Sequence, residues 1–213
     1  MSDTKENILM TALRLFARDG YEAVSVSNIA GELGMTKGAL YKHYKNKRDI
    51  FDSIVARMFQ LDSERAKEYD VPDDTFENMP EPYQQTEFDS IREFTIAQYS
   101  FWTADEFAAN FRKMLTLEQY RNPEMNELYQ NCIVSGPVQY MEDVFREMIA
   151  GDVVKEADPK QLAVEFFAPL FLLISMSDAN NSEVDAEHIL TVHVEHFMKG
   201  NAKEKGGKSN EQK

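Results

Sequence analysis

The sequence VSNIAGELGMTKGALYKHYKNK, residues 26–47, constrains the fold of this chain more than any other stretch. Its apolar positions have the spacing of two short helices, and Gly34 between them allows the left-handed backbone of a sharp turn. Thr36 can cap the second helix, which we expect from Lys37 to about Tyr44. This arrangement is typical of a helix-turn-helix, whose second helix enters the DNA major groove. The alternative is an ordinary helical hairpin inside an α-bundle.

The local charge supports an interaction with nucleic acid. Residues 1–48 hold eight Lys or Arg and five Asp or Glu, a net charge of +3, whereas the whole chain carries −14. The remainder of the chain therefore carries −17, so phosphate is repelled everywhere except near the helix-turn-helix. Between residues 36 and 48 there is no acidic side chain, and the basic ones are Lys37, Lys42, Lys45, Lys47 and Arg48.

From Thr4 to about Phe59 the chain resembles the DNA-binding domain of the TetR/AcrR family of one-component transcriptional regulators. The most family-like residues are the segment GALYKHY, residues 38–44, and the Lys47 that follows it. The rest of the chain is similar to the family only in length and helical character. The resemblance implies an all-α protein, with an N-terminal three-helix helix-turn-helix DNA-binding domain and a C-terminal helical ligand-binding and dimerisation domain.

The implied function is that of a sequence-specific DNA-binding transcriptional regulator, a homodimeric repressor that a small apolar or aromatic effector releases from double-stranded operator DNA. Thr36 and Lys37 open the second helix, where base edges are within reach. Lys42 and Lys47 can neutralise phosphates, and the amino terminus of the fourth helix can hold another phosphate. The candidate DNA contacts are Ser27, Thr36, Lys37, Gly38, Tyr41, Lys42, His43, Tyr44 and Lys47.

The apolar pattern predicts helices throughout, with no alternating strand pattern. We expect a helix-turn-helix domain over residues 1–48 and a helical effector-binding and dimerisation domain over residues 49–200. A fourth helix over residues 47–69, roughly 30 Å long, should link the two. The acidic, proline-rich segment 70–86 is expected to form a loop. The polar tail 201–213 is expected to be disordered.

The later helices are less certain in their boundaries. Ser135-Gly136-Pro137 either kinks one helix or starts a new one that ends near Gly151. Asp158 followed by Pro159 predicts a helix start. The longest apolar run, residues 166–174, is too short to span a membrane, so we expect no membrane partner.

The second domain is rich in aromatic residues and methionine, which suit an apolar cavity between helices. The family resemblance strengthens this interpretation, because the carboxy-terminal domain of TetR-like proteins usually holds an inducer pocket. Plain core packing is the alternative for each side chain. The candidate ligand-binding residues are Thr95, Gln98, Tyr99, Trp102, Phe111, Met114, Tyr129 and Gln139.

The last two helices are unusually apolar for so acidic a chain. The family's usual solution is a twofold dimer, in which each protomer contributes two helices to a four-helix bundle. His193 and His196 could hold a metal, but without a defined third ligand we favour an interface or a solvated face, with no metal and no cofactor. The candidate dimerisation residues are Phe167, Leu170, Leu172, Leu173, Ile189, Val192, His193 and His196.

No catalytic motif appears in the sequence, so we do not expect an enzyme. The single cysteine, Cys132, excludes an intrachain disulfide and fits a cytoplasmic protein. The alternative function is an α-helical small-molecule-binding protein or enzyme with an incidental helix-turn-helix. A TetR-like activator is a third possibility.

Overall fold

The computed structural model describes residues 4–179 and 185–203, and these ranges contain α-helices and no strand longer than an isolated bridge. The all-α fold expected from the sequence is confirmed. The helices are α1 (Thr4–Asp19), α2 (Val26–Glu32), α3 (Lys37–Leu40), α4 (Lys47–Glu68), α5 (Pro80–Gln85), α6 (Phe88–Ala104), α7 (Glu106–Glu118), α8 (Pro123–Ile133), α9 (Ser135–Ala150), α10 (Pro159–Ser177) and α11 (Ala186–Asn201).

The short helices near the amino terminus begin where polar side chains cap them. Ser25 and Asn28 form a reciprocal capping box at the start of α2, because each side-chain oxygen accepts the other residue's backbone N–H. Thr36 caps α3 and Asn46 caps α4, each accepting the N–H three residues further on. These caps place both turns of the helix-turn-helix region at the positions that the sequence predicts.

The helix α3 is shorter than its sequence indicates. The expected helix covered residues 37–44, whereas the α-helical segment ends at Leu40. The N–H groups of Lys42 and His43 donate to carbonyls only three residues back, at 3.3 and 2.9 Å. The prediction is therefore corrected to one α-helical turn followed by tighter 3₁₀-type turns.

The long helix α4 is continuous, as expected, and the helices around it share one hydrophobic cluster. α1 packs along α7, and the cluster runs from α1–α4 into α6, α7, α8 and α10. Phe16, Ile54 and Phe111 are among its fully buried members. A second cluster lies among α5, α9, α10 and α11. The domain boundary at residue 48 stays a prediction, and the first cluster extends across it.

The segment 70–86 is not entirely a loop, which corrects the prediction. Pro80 opens the short helix α5 within its first turn, where a missing N–H is tolerated. Tyr83 is buried beside α9, and its hydroxyl donates a 2.8 Å hydrogen bond to the Asp74 carbonyl. Val71 and Thr86 are buried as well, so a stretch that looks like an acidic connector in sequence is packed against the protein at several points.

A new helix starts at residue 135, which decides between the two alternatives there. Val134 leaves helical geometry with φ −122° and ψ −84°, and α9 follows directly. A Cβ built on Gly136 would lie 1.8 Å from the Asn131 carbonyl oxygen. Only glycine therefore allows the chain to pass this close to the end of α8.

The helix α10 is long and apolar enough, by length and composition alone, to cross a membrane. This corrects the expectation based on the shorter run 166–174. In the structure the helix packs along α9 and also contacts α6 and α11, with Leu162 and Phe166 buried. A core helix meets the same length and composition test, so the feature is weak evidence for a membrane span.

Residues 201–203 are ordered, which corrects the first part of the expected disordered tail. Ala202 forms an isolated antiparallel bridge with Val154, flanked by two backbone hydrogen bonds of 2.9 Å. The rest of that expected tail, residues 204–213, lies outside the described residues.

Candidate DNA-binding surface and ligand cavity

The turn between α2 and α3 has the geometry that a helix-turn-helix requires. Gly34 adopts φ +63°, and the Met35 N–H donates to the Ala30 carbonyl oxygen at 2.9 Å. Leu40 is completely buried and anchors the short helix α3 in the first cluster. The opposite side of α3 therefore faces solvent.

Seven of the nine candidate DNA contacts are exposed, six of them in or beside α3 and Ser27 in α2. Tyr41 is 50% exposed, although it is a large aromatic residue. Within the described part of the chain, neither Lys37 nor Lys42 forms an ion pair, so both ammonium groups are available to an anion. The exposed candidates are Ser27, Thr36, Lys37, Gly38, Tyr41, Lys42 and His43.

Tyr44 is not part of the exposed surface, which corrects its assignment as a DNA contact. Only 2% of the residue is accessible, and its hydroxyl donates to the Lys5 carbonyl oxygen at 3.3 Å. The Lys5 ammonium also lies 5.4 Å from the centre of the ring. Tyr44 therefore attaches the end of the α3 region to α1.

Lys47 has an internal role that its sequence position does not indicate. Its ammonium donates a 2.8 Å hydrogen bond to the Tyr21 carbonyl oxygen and lies 4.1 Å from the centre of the Tyr21 ring. The residue is half-buried rather than exposed. A phosphate contact by Lys47 stays a prediction, and this ammonium already stabilises the connection between α1 and α2.

The amino terminus of α4 is occupied by its own side chains, which corrects the expected phosphate site there. Asn46 Oδ1 accepts the Asp49 N–H, and the Asp49 carboxylate accepts the Lys45 N–H, both at 2.8 Å. The carboxylate also places a negative charge at the positive end of the helix. A phosphate at this terminus would compete with Asp49.

A cavity of about 470 Å³ lies between α4, α6, α8, α9 and α10. Its size is that of a small-molecule site, and its wall is mostly aromatic and aliphatic. Trp102 and Phe166 are almost fully buried in that wall. The residues that line the cavity include Met58, Phe59, Asp62, Asp73, Asp74, Tyr83, Phe94, Thr95, Gln98, Trp102, Cys132, Gln139, Tyr140, Asp143, Phe166, Phe167, Leu170 and Ile174.

Half of the candidate ligand residues line this cavity, namely Thr95, Gln98, Trp102 and Gln139. Phe111 and Met114 are fully buried core residues of α7, the helix that packs against α1, and their assignment is corrected. Tyr99 and Tyr129 pack partly buried against the first cluster, outside the cavity wall, and are corrected likewise. Aromatic composition alone does not separate a pocket wall from the core behind it.

Asp62 and Tyr140 also line the cavity, and neither is among the candidate ligand residues expected from the sequence. Met58, Asp62 and Ala66 follow each other at intervals of four along α4 and share one face of that helix. This spacing was available in the sequence. An acidic residue in an otherwise apolar stripe is the signal that could have found Asp62.

Burial shifts the acid–base properties of this wall. It raises the pKa of the Asp62 carboxyl, against the opposing effects of the Arg65 charge and a hydrogen bond with Gln98. Burial, and then the charge of Asp62, raise the pKa of the Cys132 thiol to about 12. Burial also raises the pKa of Tyr140 well above its ordinary value. Cys132 is therefore a neutral thiol in the wall, in keeping with a packing role.

The candidate dimerisation residues divide between an exposed face and the protein interior. Leu172 is 58% exposed and Ile189 43%, whereas Leu170 and Leu173 are both 5% exposed. The assignment of Leu170 and Leu173 to the interface is corrected, since both belong to the first cluster. Phe167, Val192 and His193 are partly buried, and His196 is exposed.

Two further exposed apolar residues of α10 extend this face, Val164 and Met176. Together with Leu172 and Ile189 they form what we call the α10 face. His193 Nε2 lies 3.0 Å from the Phe166 carbonyl oxygen, so one ring nitrogen is used internally. The described residues contain no group of three or more His, Cys, Asp or Glu that could hold a metal ion.

The continuous helix α4 joins the exposed helix-turn-helix to the cavity. Residues 8–54 match the model of the family described as bacterial regulatory proteins, tetR family. The resemblance to the TetR/AcrR family is confirmed over these residues.

Two curated relatives are similar to about a quarter of the chain. The HTH-type transcriptional regulator AcrR of Shigella flexneri is 44% identical over 52 residues, 24% of this chain and 24% of that protein. The uncharacterised HTH-type transcriptional regulator YerO of Bacillus subtilis is 47% identical over 50 residues, 24% of this chain and 17% of that protein. These alignments span about a quarter of the relatives' length or less.

The fold of the whole described chain is also found among solved structures. One of these is SmeT, the repressor of the Stenotrophomonas maltophilia multidrug efflux pump SmeDEF, solved in complex with triclosan. Its sequence is 20% identical to this chain, and the two structures superpose with a TM-score of 0.66. The alignment covers 95% of this chain and 93% of that one. This likeness shows a shared fold.

Proposed function

We propose that this protein is a sequence-specific DNA-binding transcriptional regulator, a homodimeric repressor that a small apolar or aromatic effector releases from operator DNA. The observation that carries the proposal is the path along α4. This helix begins directly after the exposed α3 region and contributes Met58, Phe59 and Asp62 to the cavity wall. A ligand in the cavity therefore contacts the same rigid element that carries the helix-turn-helix.

In this proposal the exposed side of α3 reads DNA. Thr36 and Lys37 reach base edges, while Lys42 and the aromatic and imidazole groups of Tyr41 and His43 approach the backbone or thymine methyl groups. Ser27 contacts a phosphate from the start of α2. The negative charge of the rest of the chain limits binding to this surface.

A second connection joins the cavity to the helix-turn-helix through α8. The last residues of α8 line the cavity, including Cys132, while Glu124 in its first turn holds the Arg48 guanidinium through two 2.6 Å contacts. Arg48 also contacts Asp52 at 2.6 Å. A ligand that separates α4 from α8 would change this ion pair as well as the tilt of α4. Small tilts of α4 would alter the distance between the helix-turn-helix motifs of the two protomers.

The α10 face supports the homodimer. Leu172 and Val164 expose large apolar side chains on one helix, and Ile189 of α11 does the same. Pairing two copies about a twofold axis would bury this face against itself in a four-helix arrangement. A chain that works on DNA in this way acts in the cytoplasm without a cofactor, and the curated relatives, which are transcriptional regulators, support a non-enzymatic role.

SmeT is a repressor and has been solved with triclosan. We propose for this chain a repressor role and a ligand-responsive cavity of its own, both supported by the shared fold. Trp102 is the only tryptophan and lies in the cavity wall, so an effector should quench or shift its fluorescence.

The test is duplex binding by fluorescence anisotropy over a salt series, with DNA from upstream of the protein's own gene and random duplex as the control. Sequence-preferring affinity that falls steeply with salt is expected. An α-helical small-molecule-binding protein with an incidental helix-turn-helix would bind neither duplex at physiological salt. A reporter gene under the bound sequence then separates repression from activation.

A further inference from the structure

The cavity wall is acidic as well as aromatic. Four of its side chains are aspartates, and none of its described lining residues is Lys, Arg or His. Nothing in this wall would neutralise an anionic ligand. The aspartates are Asp62, Asp73, Asp74 and Asp143.

Three of these carboxylates are already held by groups of the protein. Asp73 pairs with Lys67 at 3.0 Å, and Asp143 pairs with Arg146. Asp74 accepts hydrogen bonds from its neighbour's backbone N–H at 2.7 Å and from the Asn78 amide at 3.1 Å. Cations therefore compensate the charges of Asp73 and Asp143, whereas neutral donors hold Asp74.

Asp62, like Asp74, has no ion pair among the described residues, and it shares a hydrogen bond with Gln98. It differs from Asp74 because burial of its carboxyl raises its pKa. The nearest cation along the helix, Arg65, lies with its guanidinium 4.2 Å from the centre of the Phe101 ring instead. Asp62 is an exposed residue by its accessible surface, although protein surrounds its carboxyl closely enough to disfavour the charge. We attribute that surface to the cavity, since Asp62 is one of its lining residues.

The neighbouring groups are electron-rich. Gln98 Oε1 and the Tyr140 hydroxyl have almost no accessible surface and no hydrogen-bond partner within the described part of the chain. Both residues line the cavity beside aromatic rings such as Trp102 and Phe94. Ring faces attract cations, and unpartnered buried oxygens are costly until a donor or a positive charge satisfies them.

We infer that the cavity binds an organic cation, an amine or quaternary ammonium carried on an aromatic or aliphatic body, with its positive charge at Asp62. This inference rests on the proposed function, since it names the chemical class of the effector. The apolar body would fill the space between Trp102 and Phe166, and the cation would form the direct ion pair that the described residues do not give Asp62.

Equilibrium dialysis of the whole protein against matched probes tests the inference. The cation is (1-naphthylmethyl)trimethylammonium, and the neutral probe is 1-neopentylnaphthalene, in which carbon replaces the nitrogen. The wild-type protein should prefer the cation on the order of 10- to 100-fold, as expected for a charge-assisted contact. Asp62→Asn, which keeps the shape of the side chain, should remove most of this preference and leave the neutral probe unaffected.

Asp74→Asn is the matched control, because it removes the same charge from a wall carboxylate that backbone and amide donors already hold. It should leave the preference nearly unchanged. Equal binding of the two probes to the wild-type protein would overturn the inference, even if Asp62→Asn did not fold. So would an unchanged preference in a folded Asp62→Asn variant.

DNA binding without any probe is measured in parallel, so that the two proposals can fail separately. Normal duplex binding with no cation preference overturns only the cation site. Cation preference with no duplex binding overturns the regulator. A cation that binds through Asp62 but leaves duplex affinity unchanged supports the site and contradicts its role as the switch.

Discussion

The helix-turn-helix and the cavity are held together over very different distances along the chain. In the helix-turn-helix, the caps Ser25 and Thr36 bond to groups three residues away, and the Met35 N–H reaches back five residues. The cavity wall extends from Met58 in α4 to Ile174 in α10, so its residues come together only in the complete fold.

This difference indicates what substitutions should do in each region. Exposed residues of α3 can change without disturbing caps or core, so their effects should appear in DNA affinity and hardly in stability. Residues around the cavity also hold helices together. Changes there should affect stability first, unless the side chain faces solvent or the cavity itself. The predictions below test this contrast.

The largest effect should come from two adjacent leucines of α10. Leu173→Glu places a carboxylate in the first cluster and should lower the free energy of unfolding by about 3–5 kcal/mol in urea titrations. Leu172→Glu places the same group on the α10 face, so the protein should stay folded but become monomeric by light scattering. A wild-type protein that is monomeric at micromolar concentration would contradict the dimer.

The next effect should come from Gly136. Gly136→Ala puts a methyl group against the Asn131 carbonyl oxygen and should cost at least about 3 kcal/mol of unfolding free energy. Gly31→Ala is the control in α2, where a Cβ meets no atom within 4 Å. It should stabilise the helix by about 0.5–1 kcal/mol. Equal stability of the two variants would show that the start of α9 can move.

These two regions also differ in how far their structure follows from the sequence. Thr36, Asn46 and Asp158 each act as the N-cap that their side-chain chemistry predicts, because capping involves only neighbouring residues. The α10 side chains show the opposite. Leu172 and Leu173 are chemically identical neighbours, and only the packing of α9 and α6 decides which of them is buried.

The candidate sites show the same dependence on distance. Tyr44 has the composition and position of a DNA contact, but a tertiary hydrogen bond to Lys5, 39 residues earlier, places it inside. Phe111 and Trp102 are both aromatic residues in apolar helices, yet one faces α1 and the other a cavity. Periodicity predicts a buried face and does not reveal whether a helix or an empty space lies opposite.

In the helix-turn-helix, we expect Lys37→Ala to cost on the order of 1–3 kcal/mol on the best DNA site and much less on random duplex, because Lys37 reaches base edges. Lys42→Ala should weaken all sequences alike and lower the salt slope by about one per protomer, because Lys42 contacts phosphate. Anisotropy on both duplexes measures the two effects. Equal loss on both duplexes for Lys37→Ala would make it a phosphate contact, and urea titrations should show both variants as stable as wild type.

The smallest effect should arise where the two regions meet, at Arg48 and Glu124. This bidentate pair is exposed, with about half of each side chain accessible, so solvent screens it and its contribution to stability should be about 0.2–1 kcal/mol. The pair should affect DNA binding more than stability, because Glu124 neutralises the Arg48 guanidinium, which lies in the basic segment beside α3. Glu124→Gln removes the charge of the bidentate partner and leaves Arg48 paired with Asp52 alone, without altering any exposed candidate DNA contact. Operator affinity should therefore rise, by up to about fivefold at low salt, and the gain should shrink as salt screens it.

Glu127→Gln is the matched control for this last experiment. It removes the same charge from an exposed position one turn along α8, where the described structure shows no ion pair. If general electrostatic repulsion were the cause, the two variants would tighten DNA binding equally. A gain confined to Glu124→Gln, and absent when Arg48→Gln is added, would identify the ion pair itself as the connection between α8 and the helix-turn-helix. α8 would then transmit a change at the cavity to DNA in parallel with α4, whereas no difference between the two variants would leave α4 as the sole route.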